Sequence, residues 1–322
     1  MPFYLFHQNM RVFGGETLAY NARMKAAFGK LPIGYPTTRV LAAGFTEICN
    51  HGSAPFALSN MARGLDPGLT RPWTVAVGRT ARMVKDPTAP PAAKKQKTYF
   101  QEYITMVTQY EVQWNGLKKS VPNEFQVLHW GKAVFLDSLF SGPSPAACFP
   151  VGGPGTLAPE ALPYNAKLDS RGLAYIVGRV KRAGDPLNNR LLVVGFMHNM
   201  YGVGDRSGSI TGLPRLAQAI YEKHSGVIDP DRDPCIVGGD FNVEPRRVGS
   251  RTSRFEPTAE EDSDGDYYRT TGSSVYDWWS CRVDSLLGSS AEIWPQTRKK
   301  NKPNNLSDHA GISLSLHQNM WW

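Results

Sequence analysis

The sequence has few cysteines and no long apolar run. Its four cysteines, among 322 residues, are Cys49, Cys148, Cys235 and Cys281. They show neither CxxC spacing nor histidines at zinc-finger intervals, so we expect reduced thiols. No apolar stretch approaches the ~18 residues of a membrane span, and the N-terminus lacks the charged and apolar segments of a signal peptide. We therefore expect a soluble protein without a membrane span, cytoplasmic by default, although a secreted or delivered protein is also compatible with this sequence.

Acidic residues are outnumbered by basic ones. The chain has 36 Lys and Arg against 28 Asp and Glu, a formal net charge of +8 and a pI near 9.3. Such a charge favours a polyanionic partner through steering, but it does not identify one. The 41% hydrophobic content is sufficient for a large core. Because no linker divides the chain, we predict a single catalytic domain over 1–322, with loop insertions near 85–97, 141–163 and 246–271.

Short apolar segments rich in β-branched and aromatic residues alternate with a few amphipathic stretches. Strands are predicted at residues 3–9, 39–47, 98–114, 125–136, 172–181, 190–198, 235–239, 282–287 and 310–316. Helices are predicted at 16–28, after Ser53, and at 213–224. Many strands with few helices favour an α/β fold in which two sheets pack together and helices lie outside them.

One predicted strand ends in an unusual group of polar residues. The segment CIVGGDFNVEP runs from apolar residues through Gly238 and Gly239 to Asp240 and Asn242. The two polar side chains lie on one side of any extended segment, and ligands collect at the carboxyl ends of strands. A carboxylate and a carboxamide there can hold a water and a phosphoryl oxygen. The alternative is a turn in which both side chains only cap backbone groups.

Other predicted strands also meet polar residues at their ends. Asn9, Glu47 and His198 end three of them, and Asp308 with His309 begins the last. Each residue alone has a structural alternative, such as a turn, a surface carboxylate or a helix cap. Together they supply oxygen ligands for Mg²⁺ or Mn²⁺ and groups that orient water or stabilise a charged transition state. The set therefore predicts metal-assisted phosphoester hydrolysis.

Seven segments occur in the order of a known family. They are QNMR, GFTEI, SRGLAYI, VVGFMHNM, GGDFN, CRVDSLL and LSDHAGISL. The series resembles the endonuclease/exonuclease/phosphatase superfamily, which comprises metal-dependent phosphoesterases similar to deoxyribonuclease I, and it spans nearly the whole chain from Asn9 to His309. The resemblance implies a four-layer α/β sandwich of two packed, mostly antiparallel sheets flanked by helices, with the active site at one edge of the sheets.

The resemblance also implies roles for the residues in these motifs. Glu47 is similar to the main metal ligand, and Asn9 and Asp308 resemble further members of the metal and phosphate shell. Asp240 corresponds to the residue near the attacking water, and Asn242 to the one that contacts a phosphate oxygen. We expect Mg²⁺ or Mn²⁺ as the cofactor and no organic cofactor. Ca²⁺ is an alternative for which the sequence gives no support.

The histidines are assigned in the same way. His309 resembles the catalytic histidine, and Asp284 in the RVD segment resembles the aspartate that orients it. His198 is similar to the second histidine, which donates to phosphate or acts as a general acid, and Glu102 is a candidate to orient it. Arg171 occupies a position where some members bind phosphate, although an arginine before a strand is more often a solvated charge.

The substrate is predicted from residues at which this sequence agrees with or differs from the deoxyribonuclease type, and from basic residues close to the motifs. Arg11, two residues after the first asparagine, resembles the deoxyribonuclease type and is a candidate phosphate contact, whereas the residue after Glu47 is not that type's DNA-contacting arginine. Lys299, Lys300 and Lys302 precede the SDH segment and are further candidates. We predict an endonuclease that cuts DNA. The alternatives are the same chemistry on RNA, inositol phosphates or phospholipid headgroups, and a binding module without catalytic activity.

Overall fold

The computed structural model describes a set of segments that carries most of the predicted strands. They are residues 3–13, 40–48, 73–85, 99–109, 125–135, 145–150, 173–181, 189–198, 213–248, 256–281, 290–294 and 307–316. No helix in these segments is long and apolar enough to cross a membrane. The predicted helices at 16–28 and after Ser53 lie outside the described residues.

The described residues form two helices, α1 (Leu213–Lys223) and α2 (Pro245–Val248), and thirteen strands. In chain order the strands are β1 (Phe3–Phe13), β2 (Val40–Ile48), β3 (Trp73–Lys85), β4 (Tyr99–Gln109), β5 (Phe125–Phe135), β6 (Pro145–Pro150), β7 (Leu173–Val180), β8 (Leu191–His198), β9 (Cys235–Asp240), β10 (Glu256–Thr258), β11 (Asp277–Cys281), β12 (Ser290–Trp294) and β13 (Gly311–Leu316).

The strands make two sheets that pack face to face. The first has the order β12-β13-β1-β2-β4-β3 and the second the order β10-β11-β9-β8-β7-β5-β6. Only one pair in each sheet is parallel, β1 with β2 and β8 with β9. All other pairs are antiparallel. The predicted α/β sandwich of two mostly antiparallel sheets is therefore confirmed.

Alternating side chains divide the core into two layers. Leu5 of the first sheet and Val194, Ile236 and Trp279 of the second lie in the core between the sheets. Their neighbours on the opposite face of the second sheet pack against α1, whose apolar side includes Leu216. This alternation follows from the two-residue period of a strand. The same alternation determines which polar residues, further along each strand, face the space between the sheets.

The sheets approach closely near the carboxyl ends of the parallel strands. A Cβ atom added at Gly44 of β2 would lie 2.1 Å from the ring of Phe196 of β8. Within the second sheet, a Cβ atom added at Gly238 of β9 would lie 2.4 Å from the ring of Trp279 on the neighbouring strand β11. Glycine at these positions lets two large aromatic side chains fill the space below the strand ends.

Most predicted elements that fall in the described residues are confirmed within a few residues at their ends. The strand predicted at 98–114 is confirmed over residues 99–109, and residues 110–114 lie outside the described residues. The strand predicted at 282–287 lies outside the described residues, and the structure places β11 immediately before it. The segments expected to be inserted loops at 141–163 and 246–271 contain β6 and β10. Both strands lie at sheet edges and contain proline, a residue that weakened the strand pattern in the sequence.

Candidate active site

Polar residues at or near the strand ends meet on top of the core between the sheets, although β1 continues four residues beyond Asn9, which was predicted to end it. Asn9 follows Leu5 on one face of β1, His198 follows Val194 on β8, and Asp240 follows Ile236 on β9. In each strand the separation is an even number of residues, so the polar side chain shares the face of the apolar one. All three polar residues are buried. The strand ends therefore form a polar layer above the apolar core.

Asn9 joins carboxylates that come from different sheets. Its Nδ2 donates hydrogen bonds to Oε1 of Glu47 at 3.1 Å and to Oδ2 of Asp240 at 2.8 Å. Glu47 is the next-to-last residue of β2, the parallel partner of β1, whereas Asp240 ends β9 in the other sheet. The amide thus separates and orients two carboxylates that would otherwise repel one another.

His198 lies against the same two carboxylates. Its Nε2 is 3.7 Å from Oε1 of Glu47 and 3.5 Å from Oδ2 of Asp240. The side chain of Glu47 is 20% exposed, whereas those of His198 and Asp240 are 5% and 2% exposed. Glu47 is therefore the member of this group that solvent, a metal or a substrate reaches most easily.

Two groups of side chains in the described residues have the spacing of metal ligands. One consists of Glu47, His198 and Asp240, and the other of Asp240, Asp277 and His309, each with donor atoms within 4.8 Å of one another. In the second group, Oδ2 of Asp277 and Nδ1 of His309 already bond to each other. The first group offers two carboxylates and an opening to solvent, which suits a hard divalent cation that retains water ligands. It is the better candidate metal site.

Two site residues have a left-handed backbone conformation. Glu47 has φ of 57° and Asn242 has φ of 52°, and neither is glycine. Such angles are uncommon for a residue with a side chain and occur often at functional sites. Oδ1 of Asp240 accepts a hydrogen bond from the backbone N–H of Asn242 at 2.9 Å, which holds the turn after β9. This hydrogen bond therefore fixes the sharp turn that places Asn242 close to Asp240.

His309 is paired with Asp277 at the edge of this polar layer. Nδ1 of His309 is 2.7 Å from Oδ2 of Asp277 and 3.8 Å from Oδ2 of Asp240. Burial by itself would lower the pKa of His309, but the charges of Asp277 and Asp240 outweigh burial and raise it to about 10. The ring is therefore an imidazolium at neutral pH, with Nδ1–H donated to Asp277.

The carboxylate on His309 is not the one that the motif comparison suggested. We predicted Asp284, which lies outside the described residues, whereas the structure places Asp277 on the ring. In the antiparallel pair of β9 and β11, Asp277 lies opposite Asp240, so the first residue of β11 reaches the site. The sequence signal was an aspartate before the apolar run WWSC, because an antiparallel strand brings its amino end to this edge.

A third histidine lies beneath this pair and was not predicted as a site residue. His7 is fully buried on β1, two residues before Asn9 and on the same face of the strand. Burial, together with the nearby His309 and His198, lowers the pKa of His7 well below 6.5, so the ring is neutral. Burial also raises the pKa of Asp240, and Asp277 adds to this against the opposing effect of the two histidines.

The structure describes only some of the remaining predicted site residues. Asp308 is exposed beside His309 and belongs to neither of the candidate ligand groups. Arg11 lies on β1 and Glu102 on β4, and their proposed roles stay predictions. Arg171 and the lysines at 299, 300 and 302 lie outside the described residues.

A cleft of about 840 Å³ is lined by residues that are near several site residues in sequence. Its wall includes Glu244, Val275 and Ala310, each one or two residues from Asn242, Asp277 or His309. The cleft is large enough for a group attached to a phosphate. On the same wall, the guanidinium of Arg246 pairs with Asp266 at 2.5 Å, and Tyr268 is 48% exposed. The wall therefore combines charged groups of both signs with an accessible aromatic ring.

No protein-family model matches the sequence. No curated protein matches it either. The fold is nevertheless similar to solved structures over 98% of the chain. The human Nocturnin catalytic domain with bound sulfate has a TM-score of 0.53, 13% identity and 93% of its own length covered. A mannosyl-6-phosphatase from Bacteroides thetaiotaomicron has a TM-score of 0.53, 10% identity and 100% of its length covered.

A third neighbour carries the name of the superfamily. This endonuclease/exonuclease/phosphatase family protein, also from Bacteroides thetaiotaomicron, has a TM-score of 0.53 and 11% identity, and covers 98% of each chain. The fold of this chain is thus the endonuclease/exonuclease/phosphatase sandwich that the motifs suggested. At such low identity the likeness extends to the fold, and the function has to be argued from the site.

Proposed function

We propose that the chain is a divalent-metal-dependent phosphodiester hydrolase that cuts DNA as an endonuclease. The observation that carries this proposal is the pair of carboxylates, Glu47 and Asp240, held by the amide of Asn9 at 3.1 and 2.8 Å. An imidazolium, His309, lies beside them. Carboxylates for a hard cation next to a fixed cation for phosphate are the groups that phosphoester hydrolysis needs.

The carboxylates would hold Mg²⁺ or Mn²⁺, with Glu47 as the main ligand and Asp308 as a further candidate. When bound, such an ion polarises the phosphoryl group and neutralises charge on the leaving oxygen. Oxygen ligands and partial exposure of Glu47 agree with this choice, since these cations keep several water molecules.

The remaining residues act on the water and the phosphate. Asp240 also orients the attacking water through its carboxylate. The imidazolium of His309 and the amide of Asn242 stabilise the oxygens on which charge develops in the transition state. His198, which faces both carboxylates, donates to a second phosphate oxygen or to the leaving group when protonated.

The choice of DNA is supported by charge. The chain carries a formal charge of +8, and Lys299, Lys300 and Lys302 stand shortly before the catalytic histidine in sequence. A small phosphorylated sugar or inositol is the second candidate, because the mannosyl-6-phosphatase neighbour matches with the same TM-score as Nocturnin, 0.53.

The test is hydrolysis of a substrate panel by the purified chain with Mg²⁺ or Mn²⁺. The panel contains duplex DNA, single-stranded DNA, RNA, phosphoinositides, a sugar phosphate and a small generic diester. We expect duplex DNA to be cleaved, activity to stop in chelator, and Glu47→Ala, Asp240→Ala and His309→Ala to lower the rate by about 10²-fold or more.

A matched control is Lys181→Ala, since Lys181 is exposed just beyond the end of β7 that lies away from the site. This variant should keep the rate of the unchanged protein. Full activity in chelator would refute the metal-dependent hydrolase. Consumption of the sugar phosphate or phosphoinositide alone would replace DNA by the second candidate.

A further inference from the structure

We propose that His7 is a positioning residue for the reaction, holding the carboxylate of Asp277 so that this carboxylate orients His309. The inference rests on the proposed function only for its kinetic consequence, because the contacts themselves belong to the folded chain. It gives a role to a buried histidine beneath the site.

The carboxylate of Asp277 lies between two imidazole rings. Its Oδ2 bonds to Nδ1 of His309 at 2.7 Å, and its Oδ1 lies 3.8 Å from Nδ1 of His7. On the other side of the His7 ring, Oγ1 of Thr46 is 3.4 Å from Nε2. The side chains of His7 and Asp277 are both fully buried. The ring of His309 is therefore partly exposed on one side of the carboxylate, and the ring of His7 lies in the core on the other side.

The facing atoms of His7 and Asp277 can pair as hydrogen-bond donor and acceptor. Among the described residues, neither Nδ1 of His7 nor Oδ1 of Asp277 has a hydrogen-bond partner. A buried polar atom without a partner is costly, and most such atoms in folded proteins are paired. A protonated Nδ1 is a donor and a carboxylate oxygen is an acceptor, so each atom supplies what the other lacks. Closing the gap by about 1 Å gives an ordinary hydrogen bond.

This pairing fixes the tautomer of the neutral His7 ring. The hydroxyl of Thr46 donates to Nε2, and Nδ1 carries the proton toward Asp277. The backbone of Asp277 is already held by a hydrogen bond from its N–H to Oγ1 of Thr270 at 3.1 Å. The main chain is thus anchored independently, and His7 acts on the carboxylate group.

Both oxygens of the carboxylate must be held for it to orient His309. With only Oδ2 engaged, the carboxylate can rotate about its Cβ–Cγ bond, and the imidazolium follows that rotation. With Oδ1 held by His7, the plane of the carboxylate is fixed, and so is the direction in which Nε2 of His309 points. Partners of this kind set the orientation of groups that touch the substrate, and their loss typically costs about 10- to 100-fold in activity.

Two conservative substitutions separate this role from a packing role. In His7→Asn the amide nitrogen takes roughly the place of Nδ1 and can still donate to Asp277. In His7→Gln the amide nitrogen takes roughly the place of Nε2 and faces Thr46 instead. We expect His7→Gln to lower kcat for a small phosphodiester by about 10-fold or more with little change in KM, and His7→Asn to keep most of the activity.

A spectroscopic measurement accompanies the kinetics. The proton on Nδ1 of His309 should give a far-downfield ¹H NMR signal because of the short bond to Asp277, and His7→Gln should shift or broaden it while His7→Asn preserves it. Circular dichroism melting of both variants checks that each one folds. Equal kcat and an unchanged downfield signal in His7→Gln would overturn the proposal.

The unsubstituted protein provides a test that no variant can spoil by failing to fold. Long-range ¹H–¹⁵N correlation of the ring nitrogens reports which nitrogen of His7 carries the proton. We expect protonated Nδ1, and a proton on Nε2 would overturn the proposal. If the protein hydrolyses no substrate of the panel, the proposed function fails, while this tautomer and the downfield signal still decide whether His7 holds Asp277.

Discussion

Asp240 and Asp277 lie directly opposite each other in the antiparallel pair β9 and β11, and both face Nδ1 of His309, at 3.8 and 2.7 Å. Two buried carboxylates beside one imidazole favour its charged form. The same arrangement makes the two carboxylates unequal, because Asp277 is bonded to the ring, whereas Asp240 is bonded to Asn9 and belongs with Glu47 and His198 to the candidate metal site. The geometry therefore gives the two carboxylates different partners.

Replacing Asp277 with asparagine should remove most of the catalytic activity. The variant loses the charge that stabilises the His309 imidazolium, and we expect kcat to fall by about 10²-fold or more. Combined with His309→Ala, the effect should be far from multiplicative, because the two residues act as a unit. Steady-state kinetics on a small diester measure both quantities.

A matched control for this variant is Asp233→Asn. Asp233 is also a buried aspartate, but it binds Arg232 and the backbone of Asp229. The control should lower stability without lowering kcat. If Asp284→Asn reduced kcat as strongly as expected for Asp277→Asn, and Asp277→Asn did not, the partner suggested by the motif comparison would be reinstated.

Gly44→Ala should destabilise the packing of the two sheets. The added methyl group would lie 2.1 Å from the Phe196 ring, so the ring or the strands must move. Overpacking of this kind costs about 1 to 3 kcal/mol in the free energy of unfolding. Gly226→Ala is the control, because no atom of the described residues, apart from its chain neighbours, lies within 4 Å of a Cβ there, and we expect a change within about 0.5 kcal/mol. Equal urea midpoints for the two variants would contradict the close approach.

Stability should fall in mild acid because of His224. Burial, followed by His129 and Lys223, lowers its pKa from 6.5 to about 4, while Nε2 bonds to Oη of Tyr175 at 2.9 Å. Between these two values the unfolded chain binds more protons than the folded chain, so this contribution to stability is lost as pH falls from about 6.5 to 4.

The measurement is urea unfolding in chelator at pH 7 and pH 4.5 for the unsubstituted protein and His224→Gln. Glutamine cannot titrate in this range, so the variant should show a smaller loss of unfolding free energy on acidification. Acidic residues that also titrate there are shared by both proteins and cancel in the comparison. Identical losses would show that His224 does not contribute.

The predicted lysine contacts can be tested through salt dependence. Replacing Lys299, Lys300 and Lys302 with alanine should raise KM for duplex DNA and flatten its dependence on salt, since each neutralised phosphate adds about 0.9 to the log-log slope. Hydrolysis of a small diester should remain nearly unchanged. Equal loss on both substrates would assign these lysines to the reaction centre or to folding, and not to DNA binding.

The positions of the strands and of most polar residues near their ends could be predicted, because the strand pattern and the polar residue are both visible in the local sequence. An apolar strand such as 191–198 shows its type in its own residues, and the polar residue at its end is visible beside it. The aspartate that pairs with His309 could not be predicted in this way. Asp284 and Asp277 both adjoin apolar residues, and only the pairing of the strands selects between them. The sequence also did not point to His7 as a site residue, because a histidine inside an apolar strand usually indicates core packing.

The amide of Asn9 connects one sheet to the other through Glu47 and Asp240. A cation bound by both carboxylates would therefore have ligands from both sheets, and its affinity would depend on how the two sheets pack against each other. Bound metal would then stabilise the folded chain by mass action, with an unfolding temperature that rises with metal concentration. Any change that loosened the contact between the sheets, even far from the strand ends, would appear first as weaker metal binding.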